Sequence, residues 1–271
     1  MLRKLIRIIF FIFSICSLAA AAHIDTLRIF SPSMHKNIGL LVVVPEQGSA
    51  EAKFPSVYLL HGYSGSYGDW QKHIDLRPLA DKYGFILVCP DGGYNSWYLN
   101  SPIDSSSQYE THIIKEVIPS VDERYPTLGR GKTRAITGLS MGGQGALYLA
   151  ARHRGLFFAA ASMSGGVDLT YSTKRWEIAQ KIGSFNKFPQ RWQKNSVVNM
   201  IPQLKQAGLA LLVDCGVKDI FIDVNRTLHQ RLMKAGVAHD YCERPGGHSW
   251  RYWMNALEYH LFFFKKQAKF N

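Results

Sequence analysis

Thr133-Arg134-Ala135-Ile136-Thr137-Gly138-Leu139-Ser140-Met141-Gly142-Gly143-Gln144-Gly145-Ala146-Leu147 is the stretch on which the reading of this chain turns. Thr133–Thr137 is a short run rich in β-branched and apolar residues, closed by glycine, and reads as a buried strand. Gln144–His153 is rich in Ala and Leu and reads as a helix. Between them stands Gly138-x-Ser140-x-Gly142. A strand that passes into a helix through so few residues needs a turn tight enough to strain the Ser backbone. Side chains at the two Gly positions would collide with the neighbouring strand and helix. The Ser140 hydroxyl is thereby held clear of the sheet, and the helix N-terminus beneath it favours developing negative charge. The pattern predicts Ser140 as a nucleophile. The competing reading is a Gly-rich helix entry with a capping Ser.

Outward from this turn the chain alternates strands and helices. Ile24–Phe30, Ile38–Val44, Val57–His61, Phe85–Cys89, Phe157–Met163, Leu209–Cys215 and Tyr241–Arg244 read as strands. Leu76–Tyr83, Gln108–Tyr125, Val224–Lys234 and the aromatic-rich Trp250–Phe264 read as helices, and Pro126 ends the second of these. The alternation predicts an α/β fold, a mostly parallel central sheet with helices on both faces. No repeat or linker interrupts it, so residues 23–271 read as one domain. In such sheets chemistry gathers outside the carboxyl ends of the strands.

A serine needs a base and the base needs an acid. His229 and His260 fall inside helical patterns and His239 starts a strand, whereas His248 sits in Pro245-Gly246-Gly247-His248-Ser249-Trp250, a Gly-rich loop after the last strand. His248 is the candidate base. Three acids lie at or beyond the strand Leu209–Cys215. Asp214 is within the strand end, Asp219 follows Gly216 in a loop able to turn back toward His248, and Asp223 looks like a helix N-cap. Asp219 is preferred, with Asp214 as the fallback; its task is to hold the imidazole tautomer. A tetrahedral intermediate needs two backbone N–H donors. Met141, after the nucleophile, and Tyr63, in His61-Gly62-Tyr63-Ser64-Gly65, are the candidates. His61 is expected to orient that loop. Aromatic residues Tyr94, Trp97 and Tyr98, and in Val167–Gln203 Tyr171, Trp176, Phe185, Phe188 and Trp192, could wall a substrate site or simply pack long loops. Val167–Gln203 is long enough for a small cap.

The remaining features narrow the function class. With 271 residues, 46% hydrophobic and 19% charged, the chain is neither disordered, collagenous nor a coiled coil. Its formal charge is +12, yet no run of five basic residues occurs, which argues against nucleic acid. Arg3, Lys4 and Arg7, the apolar Leu5–Leu18 and Ala19–Ala22 predict a signal peptide over 1–22 with cleavage before His23, hence export to the periplasm or outside and no stable membrane insertion afterwards. An uncleaved anchor is the rival. Cys89, Cys215 and Cys242 then remain; Cys215 and Cys242 end neighbouring strands and could bridge, but buried free thiols are the preferred reading. Histidines are scattered without His-Glu-x-x-His or paired Cys spacing, so no metal site is expected.

His61-Gly62-Tyr63, Gly138-Leu139-Ser140-Met141-Gly142-Gly143, Asp214-Cys215-Gly216-Val217-Lys218-Asp219 and Pro245-Gly246-Gly247-His248-Ser249-Trp250 together resemble the esterase family of α/β-hydrolases. That family holds esterase D-like S-formylglutathione hydrolases, tributyrin esterases, feruloyl and acetyl xylan esterases and mycolyltransferases. The similarity runs from about Val57 to Phe264. It implies the α/β-hydrolase fold, Ser140, Asp219 and His248 as a triad, and a mechanism without cofactor. Asn95-Ser96-Trp97-Tyr98 resembles a stretch of the secreted branch. The expected function is a secreted serine esterase acting on short acyl esters, among them acetyl or feruloyl groups on carbohydrate. His61, Trp97, Tyr98 and Trp250 are the candidate substrate contacts. The rivals are an acyltransferase of the mycolyltransferase type and a non-catalytic carbohydrate-binding relative.

Overall fold

The computed structural model describes residues 22–46, 51–129 and 133–268. Residues 1–21 of the expected leader lie outside the described residues. The strands are β1 (His23–Ser31), β2 (Lys36–Val44), β3 (Ser56–Leu60), β4 (Ile86–Pro90), β5 (Arg134–Gly138), β6 (Ala159–Met163), β7 (Ala210–Gly216) and β8 (Asp240–Arg244). They form a single eight-stranded sheet in the order β1-β2-β4-β3-β5-β6-β7-β8. β2 runs antiparallel to both its neighbours, and every pairing from β4 to β8 is parallel.

Both faces of this sheet are buried, and the strand residues show it. Tyr58, Leu60, Ile86, Val88, Ile136, Ala160, Leu211 and Val213 enter one core, and the alternating Val57, Leu59, Leu87, Cys89, Ala135, Ala159, Ala161 and Leu212 enter the other. Successive side chains of a strand point to opposite faces, so a strand covered on both sides reads as a continuous apolar run. The first core is closed by α4 (Ile118–Arg124), α5 (Met141–Arg152), α8 (Ile201–Ala207) and α9 (Ile222–Lys234). The second is closed by α1 (Asp69–His73), α2 (Arg77–Tyr83) and α10 (Trp250–Gln267).

Several elements depart from the sequence reading for identifiable reasons. The helix expected over Gln108–Tyr125 is α3 (Tyr109–Thr111), a π-helical stretch (His112–Val117) and α4. Pro119 lacks the N–H that would bond back to Lys115, and the backbone widens ahead of it. α4 stops at Arg124 because Tyr125, which precedes Pro126, is extended. α5 begins at Met141 rather than Gln144, since packing against the sheet overrides the low helix propensity of Gly142 and Gly143. Val167–Gln203 holds α6 (Ile178–Ile182), α7 (Pro189–Asn195), the start of α8 and two 3-10 turns, each too short to leave a periodic signal. Asp223 is not an N-cap: it is the second residue of α9 and makes no cap hydrogen bond.

Cys89, Cys215 and Cys242 are free. β7 and β8 are neighbours, but their register sets Cys242 beside Asp214 and Cys215 beside Glu243. Cys215 and Cys242 therefore lie on opposite faces of the sheet, which forbids a bridge.

The order places β3 between β4 and β5, so the chain leaves β3 toward one edge and β5 toward the other. The carboxyl ends of β3 and β5 flank the point where the winding reverses, which is where an open α/β sheet offers a crevice. The His61–Gly65 loop and Ser140 follow these two strands.

Candidate active site

Ser140 has φ 55 and ψ −115, a conformation that residues with a side chain rarely adopt. The glycines around it explain how the turn closes. A Cβ on Gly142 would stand 2.5 Å from the Leu60 carbonyl oxygen and 2.6 Å from that of His61; one on Gly138 would stand 2.5 Å from the Gly142 carbonyl oxygen. β3, β5 and α5 therefore meet backbone to backbone, and the Ser140 N–H is tied to the Met163 carbonyl on β6 at 3.0 Å.

His248 reaches this serine: its Nε2 is 2.9 Å from Ser140 Oγ. Its Nδ1 is 3.0 Å from each oxygen of Asp219. An ionised carboxylate only accepts, so Nδ1 carries the proton and Nε2 is left to accept from the serine hydroxyl. Asp219 also accepts from the Phe221 N–H at 2.9 Å, which fixes the carboxylate. The loops carrying the acid and the base are bonded to each other, with Val217 N–H donating to the Arg244 carbonyl (3.0 Å) and Lys218 N–H to that of Gly246 (2.8 Å). A Cβ on Gly216 would come within 2.6 Å of the Gly246 carbonyl oxygen, so glycine permits this approach. Phe221 and Trp253 meet the imidazole edge-on, at 5.3 Å and 4.8 Å, and hold its plane.

Asp214 stays outside this constellation. It lies at the end of β7, fully buried, bonded to Arg244 and the Tyr252 hydroxyl, with His260 Nε2 at 3.6 Å and Thr137 beyond at 2.8 Å from His260 Nδ1. Burial alone would raise its pKa; the neighbouring His260, the Tyr252 hydroxyl and the Arg244 charge outweigh it and hold it below the ordinary 3.8. The group is thus a buried ionic brace between β5, β7, β8 and α10. Its folded pKa is depressed, so its stabilisation is complete above the unfolded value and is lost as pH falls below 3.8 through the folded value. Asp214→Asn is expected to cost about 3 kcal/mol at pH 7, by leaving Arg244 without its partner. In urea titrations the difference from wild type should shrink as pH drops below 3.8; a difference that is small at pH 7, or constant with pH, would contradict the brace.

The loop after β3 lies against the nucleophile: a Cβ on Gly62 would be 3.5 Å from Ser140 Cβ. Of the N–H groups nearby, Ser64 is spent on the Tyr94 carbonyl (2.7 Å), Gly65 on Gly62 (3.1 Å), Gly142 on Leu139 (2.7 Å) and Gly143 on Ser140 (3.1 Å). Among the described residues, the backbone N–H groups of Tyr63 and Met141 have no acceptor. A cavity of about 310 Å³ opens over Ser140, walled by Tyr63, Trp176, His248, Trp250 and Trp253.

Three of the four expected substrate contacts are elsewhere. His61 is buried, its Nδ1 2.8 Å from the Gly62 carbonyl while its Nε2 accepts from the Gly92 N–H at 2.7 Å. Burial, opposed by Asp91, lowers its pKa, and the neutral ring joins the loop after β3 to the loop after β4. Tyr98 is buried with its ring against Gly92 and Gly145, and its hydroxyl donates to the His61 carbonyl at 3.1 Å. Trp97 is buried and its indole N–H donates to the Trp176 carbonyl at 3.3 Å. Both have positive φ, 54 and 58, which turns their side chains into the core under the site. Trp250 does face the cavity, with its indole stacked on His73 at 4.0 Å. Trp253 was not singled out by the sequence reading, although its i+3 spacing from Trp250 puts both on one helix face. Among the described residues no group of three or more His, Cys, Asp or Glu side chains is placed to hold a metal ion.

A family model described as "Putative esterase" matches residues 31–264. Esterase Rv1288 of Mycobacterium tuberculosis (strain H37Rv) is 28% identical over 244 residues, covering 79% of this chain and 53% of that protein, so the chain spans about half the length of this relative. An acetyl esterase of Caldicellulosiruptor saccharolyticus is 24% identical over 263 residues, covering 86% of this chain and 96% of that one. Among solved structures, a ferulic acid esterase superposes with a TM-score of 0.80 at 28% identity, over 91% of this chain and 98% of that chain.

Proposed function

The chain belongs to the family described as "Putative esterase" and has the α/β-hydrolase fold, and from that premise we propose that it is a serine carboxylic-ester hydrolase acting on short acyl esters, including acetyl or feruloyl groups on carbohydrate. The observation that carries the reading is the unbroken line from Ser140 Oγ through His248 to Asp219, at 2.9 Å and 3.0 Å. His248 takes the serine proton as Oγ attacks the ester carbonyl, and the Tyr63 and Met141 N–H groups receive the negative oxygen. The tetrahedral intermediate collapses, the ester C–O bond breaks, and the leaving alcohol takes the proton from His248. Water then attacks the acyl-serine, His248 again accepting a proton, and releases the acid and the free Ser140. The relatives named as acetyl esterase and ferulic acid esterase support the choice of acyl group.

In the cavity of about 310 Å³ over Ser140 a short acyl chain would lie against Trp176, Trp250 and Trp253. Among p-nitrophenyl esters from acetate to dodecanoate, kcat/KM is expected to be greatest at the short end and to fall with chain length. Methyl ferulate and acetylated xylan assayed alongside read the acyl and alcohol preferences. A maximum at the long end would refute this acyl assignment. Export is part of the same proposal, supported by the basic, apolar and small-residue succession over Arg3–Ala22.

A further inference from the structure

We propose that the cavity over Ser140 selects esters that carry an ammonium group, held by the Asp69 carboxylate within the tryptophan-lined wall. The proposal rests on the esterase reading above and adds the charge of the favoured substrate.

The sign of this cavity is opposite to that of the chain. The sequence holds 32 Lys and Arg against 20 Asp and Glu. Yet among the described residues no Lys or Arg lines the cavity, and Asp69 is the one carboxylate that does. His248, with its proton on Nδ1, adds no charge at rest. Asp69 is set in place by the loop after β3. Its Oδ2 accepts from the Ser66 N–H and its Oδ1 from the Ser66 hydroxyl, both at 3.1 Å. An ionised carboxylate has about four lone-pair sites, so each oxygen keeps capacity for a ligand. Among the described residues no Lys or Arg side chain pairs with it.

Gly65 leaves that carboxylate uncovered. Its φ is not positive, so the turn itself does not require glycine there. Space does: a Cβ at this position would stand 2.5 Å from Asp69 Oδ2 and 2.9 Å from His61 Nδ1. The Gly65 N–H bonds the Gly62 carbonyl at 3.1 Å, and Gly62 lies against Ser140, so one turn of chain links the carboxylate to the nucleophile. Across the sequence, Trp176 has φ 57, in the left-handed region. Strain of this kind persists where surrounding bonds over-determine it, and it clusters at functional sites. The Trp97 indole N–H fixes the Trp176 carbonyl at 3.3 Å, and the Trp176 side chain joins Trp250 and Trp253 in the wall.

Chemistry selects the occupant. Aromatic rings attract a cation through their quadrupole, and indole does so best. A carboxylate between such walls acts through a lower dielectric than it would in open water. An ammonium group therefore gains from the indoles and from Asp69 together. A neutral alkyl group of the same shape gains only the burial of its apolar surface. A carboxylate or phosphate is repelled by Asp69 and finds no Lys or Arg in the lining to replace its hydration.

The test pairs esters equal in shape and different in charge. Acetylcholine is set against 3,3-dimethylbutyl acetate, with the charge on the alcohol, and β-alanine ethyl ester against ethyl butyrate, with the charge on the acyl group. In at least one pair the cationic ester is expected to show kcat/KM about tenfold above its neutral partner, within the worth of a desolvated cation–π contact. Asp69→Asn keeps an oxygen for the Ser66 N–H and should remove most of that preference, while p-nitrophenyl acetate turnover stays near the wild-type rate. No preference in either pair, a preference that survives Asp69→Asn, or an equal loss on charged and neutral esters in that variant would each overturn the proposal. Absence of p-nitrophenyl acetate turnover in wild type would refute the esterase reading instead. The cavity is then judged by titration with phenyltrimethylammonium followed by tryptophan fluorescence. Saturable binding that Asp69→Asn weakens about tenfold sustains the proposal; no binding, or equal binding by the variant, overturns it.

Discussion

Ser140→Ala is expected to lower kcat/KM on p-nitrophenyl acetate by roughly 10⁴- to 10⁶-fold, leaving what the backbone donors and binding alone supply. The size of the effect follows from the site's economy of parts. The atom lost is Oγ, which among the described residues bonds His248 alone. Among the described residues no other hydroxyl hydrogen-bonds the His248 ring. The backbone that shapes the turn is untouched, since its closure depends on Gly138, Gly142 and the bond from Ser140 N–H to Met163. Stability should therefore change by about 1 kcal/mol, the usual worth of one hydrogen bond. A variant that keeps most of its turnover, or that unfolds, would contradict this assignment of the chemistry to one oxygen.

Asp219→Asn should lower kcat by about 10⁴-fold. The carboxylate side chain is fully buried, accepting from His248 Nδ1 and from the Phe221 N–H. An amide in its place keeps the size but can donate to Nδ1. The proton then moves to Nε2, which can no longer accept from Ser140. The imidazolium formed during reaction also loses its counter-charge. Asp214→Asn supplies the contrast: the same change five residues earlier removes a buried brace but leaves the imidazole tautomer as it is. It should reduce stability more than Asp219→Asn and turnover far less. The reverse ranking would exchange the roles of the two acids.

That exchange marks where the sequence stopped being decisive. Asp214 lies within β7 and Asp219 three residues beyond its end; Gly216 between them favours Asp219, but the sequence keeps Asp214 as a fallback. The difference is three-dimensional: Asp214 is still in register with Cys242 and faces Arg244 and α10, whereas Gly216 lets the following loop fold onto Gly246. Ser140 and His248 were legible because glycines on both sides leave few conformations for the turn or loop. The sheet was legible because strands buried on both faces leave continuous apolar runs. α1 and α6 were not, since five residues carry too little periodicity to separate a helix from a loop. Trp97 and Tyr98 misled for a related reason, and so did His61 as a substrate contact, although it orients its loop as expected. They sit in Gly-rich or polar loops that look exposed, but positive φ at Trp97 and Tyr98 and the bonds at both nitrogens of His61 turn them inward to support the loops instead of lining the cavity.

The triad carries the central claim. Wild-type protein treated with a fluorophosphonate, digested and mapped by mass spectrometry, tests it most directly. A single phosphonyl adduct on the peptide containing Ser140, absent in His248→Gln protein, is the predicted result. An adduct on another residue, or labelling of Ser140 that persists at full rate without His248, would contradict the central claim that one imidazole activates this one hydroxyl.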